Sequence, residues 1–150
     1  MILHLIGGSL MVTELKTFKT VKELISYLDE QVENTKRLLE EYMSRLETQK
    51  SKMEKIRALS ESLGKILGRA PSIGTSQTVD IMGLKLIINP SPIQEVTTLE
   101  DVIKQLNDKL IVLQKIKKAV ESLGMLEETE LNLNVAVVND IPTVVMMQLS

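Results

Sequence analysis

The chain of 150 residues has no cysteine and no tryptophan, and only one phenylalanine, two tyrosines and one histidine. Without cysteine, disulfide frameworks, zinc–thiolate sites, thiol catalysis and iron–sulfur clusters held by thiolates are excluded. The rings, Phe18, Tyr27 and Tyr42, amount to 2% of the residues, too few for a base-stacking platform or an aromatic sugar cleft. His4 stands near the amino end in a segment that reads as frayed or optional, which disfavours a Ser–His nucleophile. Charge of one sign is missing as well. Lys plus Arg number 18 against 20 for Asp plus Glu, a net charge of −2, so there is no global pull towards nucleic acid or anionic lipid.

Long apolar runs are absent too, and none approaches the roughly 18 residues of a membrane span. Met1 to Val12 is apolar, but it is short and has no basic segment before it, unlike a secretory signal. The sequence therefore reads as a soluble, cytoplasmic protein without a membrane partner. Gly7-Gly8-Ser9 sets this segment apart. Either Met11 is the true start, or Met1 to Ile6 is a short strand added to a sheet.

Chemistry-bearing motifs are equally sparse. Gly7-Gly8-Ser9 and the stretch from Gly64 to Gly68 match neither a Walker loop nor a dinucleotide fingerprint. Of the acidic clusters, Glu40-Glu41 and Glu100-Asp101 have Lys or Arg three to four residues away, the spacing of a solvated ion-pair face on a helix. Glu127-Glu128-Glu130 is a connector with no ligand spacing, able at most to hold a cation weakly. No catalytic, metal or cofactor-binding residue is assigned, and a non-enzymatic protein is expected.

What is present is periodicity. Thr20-Val21-Lys22-Glu23 is a capping box, and after it apolar positions alternate in steps of three and four. The positions are Val21, Ile25, Leu28, Val32, Thr35, Leu39, Tyr42, Leu46, Gln49, Met53, Ile56, Ser60, Leu63 and Leu67. A 3.5-residue repeat held this long is the signature of a coiled coil. Pro71 and the glycines around Gly68 stop the helix. About 48 residues at about 1.5 Å each give a rod of about 70 Å, longer than a small globule covers, so a partner is expected. Leu24, Leu38, Leu59 and Ile66 widen the apolar face at both ends, while Arg45 and Lys52 narrow it in the middle. Thr35, Gln49 and Ser60 read as polar core residues that fix register.

Beyond the rod, Thr78 to Ile88 is rich in β-formers, with Gly83 as a turn or bulge, and Asn89-Pro90-Ser91-Pro92 stops the strand. Thr97-Thr98-Leu99-Glu100 is a second capping box, opening a helix of about 27 residues that Gly124 closes. Leu131 to Leu149 alternates like a strand, and Asn139-Asp140-Ile141-Pro142 marks a hairpin turn. The fold class is α+β and helix-dominated: long coiled-coil helix, β segment, shorter helix, C-terminal β-hairpin. Three parts are drawn: an N-terminal segment 1–19, the coiled-coil helix 20–68, and a small α+β head 72–150. At an offset of 60, Glu61-Ser62-Leu63-Gly64 matches Glu121-Ser122-Leu123-Gly124, and Lys55-Ile56 matches Lys115-Ile116. The match suggests either a duplication or the shared composition of two amphipathic helices.

The leading functional expectation is a scaffold or structural subunit that forms a homo-oligomer, dimer or higher, and engages other proteins. Its interface would be the seam of Val32, Leu39, Tyr42, Leu46, Met53, Ile56 and Leu63, and a buried charge such as Leu46→Glu would split it. The apolar segments Leu84 to Ile88 and Val135 to Met147 need a cover. The second helix, a sheet exchanged between subunits or a docked partner would each supply one. The order helix–β–helix over Thr20 to Gly124 resembles prefoldin subunits, which implies a holdase chaperone. The unequal helices and the closing strands depart from that pattern. Arg45, Lys50, Lys52, Lys55 and Arg57, set against Glu47 and Glu54, are a basic band able to contact a polyanion. With no aromatics among them and acids beside them, a nucleic-acid-associated dimer is an alternative that the composition disfavours.

Overall fold

The computed structural model describes residues 2–6, 9–68, 77–88, 90–126 and 128–148, with backbone only at 2–6, 9–12, 67, 77 and 88. Gly7-Gly8, the helix stop at Ala70-Pro71, Asn89, Glu127 and Leu149 lie outside the described residues. The elements in order are β1 (Ile2–Ile6), β2 (Ser9–Phe18), α1 (Val21–Leu67), β3 (Gln77–Ile81), β4 (Leu84–Ile88) and α2 (Pro92–Glu121). A 3-10 turn (Gly124–Leu126), β5 (Asn132–Val138) and β6 (Ile141–Gln148) follow. The layout is α+β and helix-dominated. Among the described residues the strands form an antiparallel sheet of order β1-β2-β5-β6 and a separate β3-β4 pair.

Both helix starts are built by side chains. At α1 the Glu23 amide donates to Thr20 Oγ1 at 3.1 Å, while Glu23 Oε2 accepts from the amide of Lys19 at 2.8 Å, one residue ahead of the cap itself. At the other end Gly68 takes φ +69° and its amide bonds the carbonyl of Gly64 at 2.9 Å. A left-handed residue at that place is the common helix terminator. Gly64 thus lies inside α1, whereas Gly124 opens the 3-10 turn after α2. The glycines equated by the 60-residue offset therefore do not share a role.

Helix α2 begins five residues earlier than Thr97. Ser91 Oγ accepts from the Gln94 amide at 3.2 Å and Gln94 Oε1 accepts from the Ser91 amide at 2.9 Å. This is a reciprocal capping box, with Pro92 at the first helical position, where a missing amide costs nothing. Thr98 sits within the helix, donating to the carbonyl of Gln94 at 2.9 Å.

The turns follow from backbone sign. Met82 and Gly83 have φ 50° and 90°, and Asn139 and Asp140 have φ 52° and 65°. Two consecutive positive values make the two-residue turn that matches strand twist. Gly83 is therefore a turn and not a bulge. The irregularity lies in the other hairpin, between Ala136 and Val137, whose partners are Val144 and Pro142. Thr143 is the extra residue, its hydroxyl donating to the carbonyl of Ala136 at 3.1 Å.

The chain divides into two compact units. The first comprises Met1–Leu38 and Leu106–Ser150. Its core joins Val21, Leu24, Leu28 and Val32 of α1 and Leu113 and Val120 of α2 to Leu131, Leu133, Val135 and Val137 on one face of the sheet. Strand β2 enters that sheet between β1 and β5, so of the segment Met1 to Ile6 the described residues Ile2–Ile6 are a strand. Lys117 bridges Asp29 and Glu121 over the helix pair. The Asp29 carboxylate, first through its hydrogen bond and then through its charge, raises the Lys117 pKa above the ordinary lysine value.

The second unit is Leu39–Gln105, holding the rest of α1, the β3–β4 hairpin and the start of α2. Leu39 and Val96 are its buried hydrophobics among the described residues. Gln49 donates a hydrogen bond to the Glu95 carboxylate. From Leu39 to Ser60 the residues that escape full exposure are Leu39, Tyr42, Leu46, Gln49, Met53, Ile56 and Ser60. The alternation of three and four is thus expressed in burial as well as in composition.

Candidate functional site

The residues expected at an interface between copies separate into two groups. Val32 and Leu39 are 7% exposed, covered by their own chain, and so are not free to meet another copy. Tyr42, Leu46, Met53 and Ile56 are half-buried, and Leu63 is exposed. Apart from Leu38 and Met43, the exposed apolar residues of α1 lie near its end, at Leu59, Leu63 and Ile66, which are 60%, 37% and 79% exposed. Steps of four and three put these on one side of the last turns of the helix.

The β3–β4 hairpin in the same unit carries the larger apolar surface. Val79 pairs with Leu86 and Ile81 with Leu84, and alternation along a strand places all four on one face. Thr78 with Ile87 and Asp80 with Lys85 occupy the other face. Val79, Ile81, Leu84 and Leu86 are all exposed, and Met82 at the turn is 99% exposed. A two-stranded sheet is marginal alone in water, and this one turns its apolar face outward. Met82 holds a left-handed φ of 50°, which costs a side chain about 1 kcal/mol and is cheapest for Gly or Asn.

At one end of the hairpin, Ile87 and Pro90 join Arg45, Gln49, Gln94, Glu95, Thr98 and Leu99 around an open groove of about 420 Å³. Its polar lining is one guanidinium, one carboxylate and neutral groups, and the carboxylate is already bonded to Gln49. That lining can seat a polar side chain, but it offers no nucleophile beside a base.

The basic band does not form one patch. At about 100° per residue, Arg45, Lys52 and Lys55 fall on one side of α1 and Lys50 and Arg57 on the other. All five are exposed. Arg57 lies 3.8 Å from Glu54 and 4.0 Å from Glu61, and the Arg45 guanidinium stands 5.2 Å from the centre of the Tyr42 ring.

Among the described residues no three His, Cys, Asp or Glu side chains come together as a metal site. No helix among them is long and apolar enough to cross a membrane. In the first unit, as well as Lys117, Tyr27 is perturbed. Burial first, and then the carboxylates of Asp140, Glu14 and Glu30, push its pKa up to about 12. Its hydroxyl donates to the carbonyl of Asp140 at 3.2 Å, its ring lies 5.6 Å from that of Phe18, and Lys16 Nζ stands 5.2 Å from its centre. These contacts pin α1 to the sheet and leave the phenol as a structural group.

No protein family, curated protein or solved structure matches the chain. Met82 went unnoticed in the sequence reading. The signal for it was present: Met-Gly sits at the centre of two alternating apolar runs, where Asn-Gly is the economical choice.

Proposed function

We propose that the chain is a non-enzymatic assembly subunit whose copies associate through the exposed apolar surface of the second unit. The observation that carries this reading is Met82: a large apolar side chain, 99% exposed, held at positive φ on the tip of a hairpin whose apolar face is uncovered. Water penalises that surface by roughly 25 cal/mol per Å², and a contact between copies removes the penalty. The tip, the Val79–Leu86 and Ile81–Leu84 pairs, and the Leu59, Leu63 and Ile66 stripe are the residues engaged. The proposed site of association is therefore the end of α1 and the β3–β4 hairpin, and not the middle of the α1 seam. The cysteine-free sequence is at home in a reducing compartment such as the cytoplasm.

Light scattering after size exclusion, over a hundredfold range of concentration, tests the reading. An oligomer is expected, and Ile66→Glu or the pair Val79→Thr and Leu86→Thr lowers its mass without loss of helix signal. A chain that stays at 16.8 kDa at every concentration refutes it. Leu46→Glu is a poorer probe, because Leu46 is half-buried in the chain itself and a charge there damages the monomer.

The same exposed methionine favours one second reading, a holdase that captures unfolded chains, since methionine surfaces adapt to many partners. Suppression of aggregation of a heat-denatured test protein, lost in Met82→Asn, distinguishes it from a scaffold.

A further inference from the structure

The four-stranded sheet of the first unit ends on β6, and that edge is unlike an edge built to stay free. Native edges are usually protected by lysine, by proline along the strand, or by a covering element. Across its eight residues β6 carries no charged side chain, and its one proline, Pro142, stands at the start beside the bulge. Thr143 onward is a plain run.

Exposure repeats the point on both faces. Val135 and Leu133 are fully buried under the helices, yet their partners on the same face, Val145 and Met147, are 41% and 37% exposed. On the other face Val144 and Met146 are 53% and 50% exposed. The helical cover therefore reaches only the start of β6, where Ile141 packs on the core and Pro142 is buried, and leaves the strand open from Thr143 onward. Such an edge calls for another strand, whose backbone pairs with β6 and whose side chains extend both faces.

We propose that β6 pairs antiparallel with β6 of a second copy, joining two sheets across a two-fold axis. An uncharged strand opposes no like charges when it meets itself, and an isologous contact closes at two copies instead of running on into a fibre. The charged residue adjoining the strand, Asp140, is tied to Lys109 at 3.4 Å. Antiparallel pairing sends the two Asp140 residues to opposite ends, whereas parallel pairing sets them side by side. The proposal shares with the assembly reading only the idea that copies meet; it uses the first unit and none of the second.

The absence of native cysteine makes the test direct. Single cysteines are placed in turn from Thr143→Cys to Met147→Cys, with Ser122→Cys, exposed in the turn just past α2, as control, and the proteins are oxidised when dilute. In an antiparallel two-fold pair only the residues at the axis meet their own copies, so disulfide dimer concentrates at one or two adjacent positions. A flat profile no higher than the control overturns the proposal. Met146→Lys, at an exposed position, is expected to lower the solution mass twofold while Met146→Thr leaves it unchanged, both with unaltered helix signal. An unchanged mass for Met146→Lys also overturns it. A peaked β6 profile with hairpin variants that leave the mass alone keeps this contact and refutes the other. An oligomer with a flat profile does the reverse, and a monomer throughout refutes both.

Discussion

Four side chains of the first unit show how differently burial acts on polar and apolar groups. Thr35 is 2% exposed, and its hydroxyl donates to the carbonyl of Gln31, four residues back on the same helix, at 2.7 Å. A group satisfied by its own helix makes no cross-chain demand, so Thr35 does not fix register as its place in the repeat suggests. Thr35→Val is expected to leave stability unchanged or to raise it by up to about 1 kcal/mol, because such back-bonds are slightly destabilising; urea titration checks this. Leu28 and Leu113, both fully buried in one cluster, behave oppositely. Either one changed to Ala is expected to cost about 2–5 kcal/mol, through lost transfer energy and the cavity left behind, visible as a lower midpoint in the same titration. Tyr27 links the core to pH. Its pKa in the folded chain, about 12, lies above the ordinary 10.0. As pH rises past 10 the unfolded chain gives up this proton first, so stability falls until the folded phenol also ionises near 12. Tyr27→Phe, compared with the parent in melting curves across that range, should flatten this part of the loss.

At the scale of elements, the capping bonds yield a discriminating pair of variants. Ser91→Ala removes one half of the reciprocal box at the start of α2 and is expected to cost about 1 kcal/mol. Thr97→Ala lies inside the helix and is expected to cost nothing, since alanine is the better helix former. Equal losses would return the start of the helix to Thr97. The decoy has a physical cause: Thr97-Thr98-Leu99-Glu100 satisfies the local rule, while the prolines at 90 and 92 read as a stop although the second serves as a first helical residue. Helix α1 was legible because its repeat comes from composition over many turns, which local exceptions such as Arg45 do not erase. Strand β2 was not, because its core-facing side carries Glu14 and Lys16. Lys16 lies over the Tyr27 ring and pairs with Glu14 at 3.6 Å, so charged residues stand where alternation asks for apolar ones. Long aliphatic stems let such residues cover apolar surface, and the alternation rule does not see it.

For the whole molecule, part of the cover expected for the rod comes from its own chain. Val21 to Val32 is buried with Leu113, Val120 and β5 of the same chain. Among the described residues the chain leaves open, with scattered single side chains, the end of α1, the β3–β4 face and the β6 edge, and it is through these that the proposed association would run. Their contributions are expected to separate by salt. Apolar burial changes little between low and moderate ionic strength, so the oligomer should persist where contacts through the basic band would weaken. Sedimentation at two salt concentrations reads the difference. The seam residues were legible as a periodic stripe, but which of them face outward depends on where the chain folds back, and periodicity carries no information about that.

The pairing of β2 with β5, Thr13 opposite Val138 and Phe18 opposite Leu133, also dictates an order of events. During synthesis β2 emerges well before its partner β5, with both helices made in between. The helices can form locally and fast, but the sheet must close a very long loop, which is slow. Until it closes, β2 lacks its β5 neighbour and Leu24 and Leu28 lack their floor. Until β5 has emerged the nascent chain is therefore most prone to aggregate, and a truncation after α2 should be insoluble although most of its helix is intact.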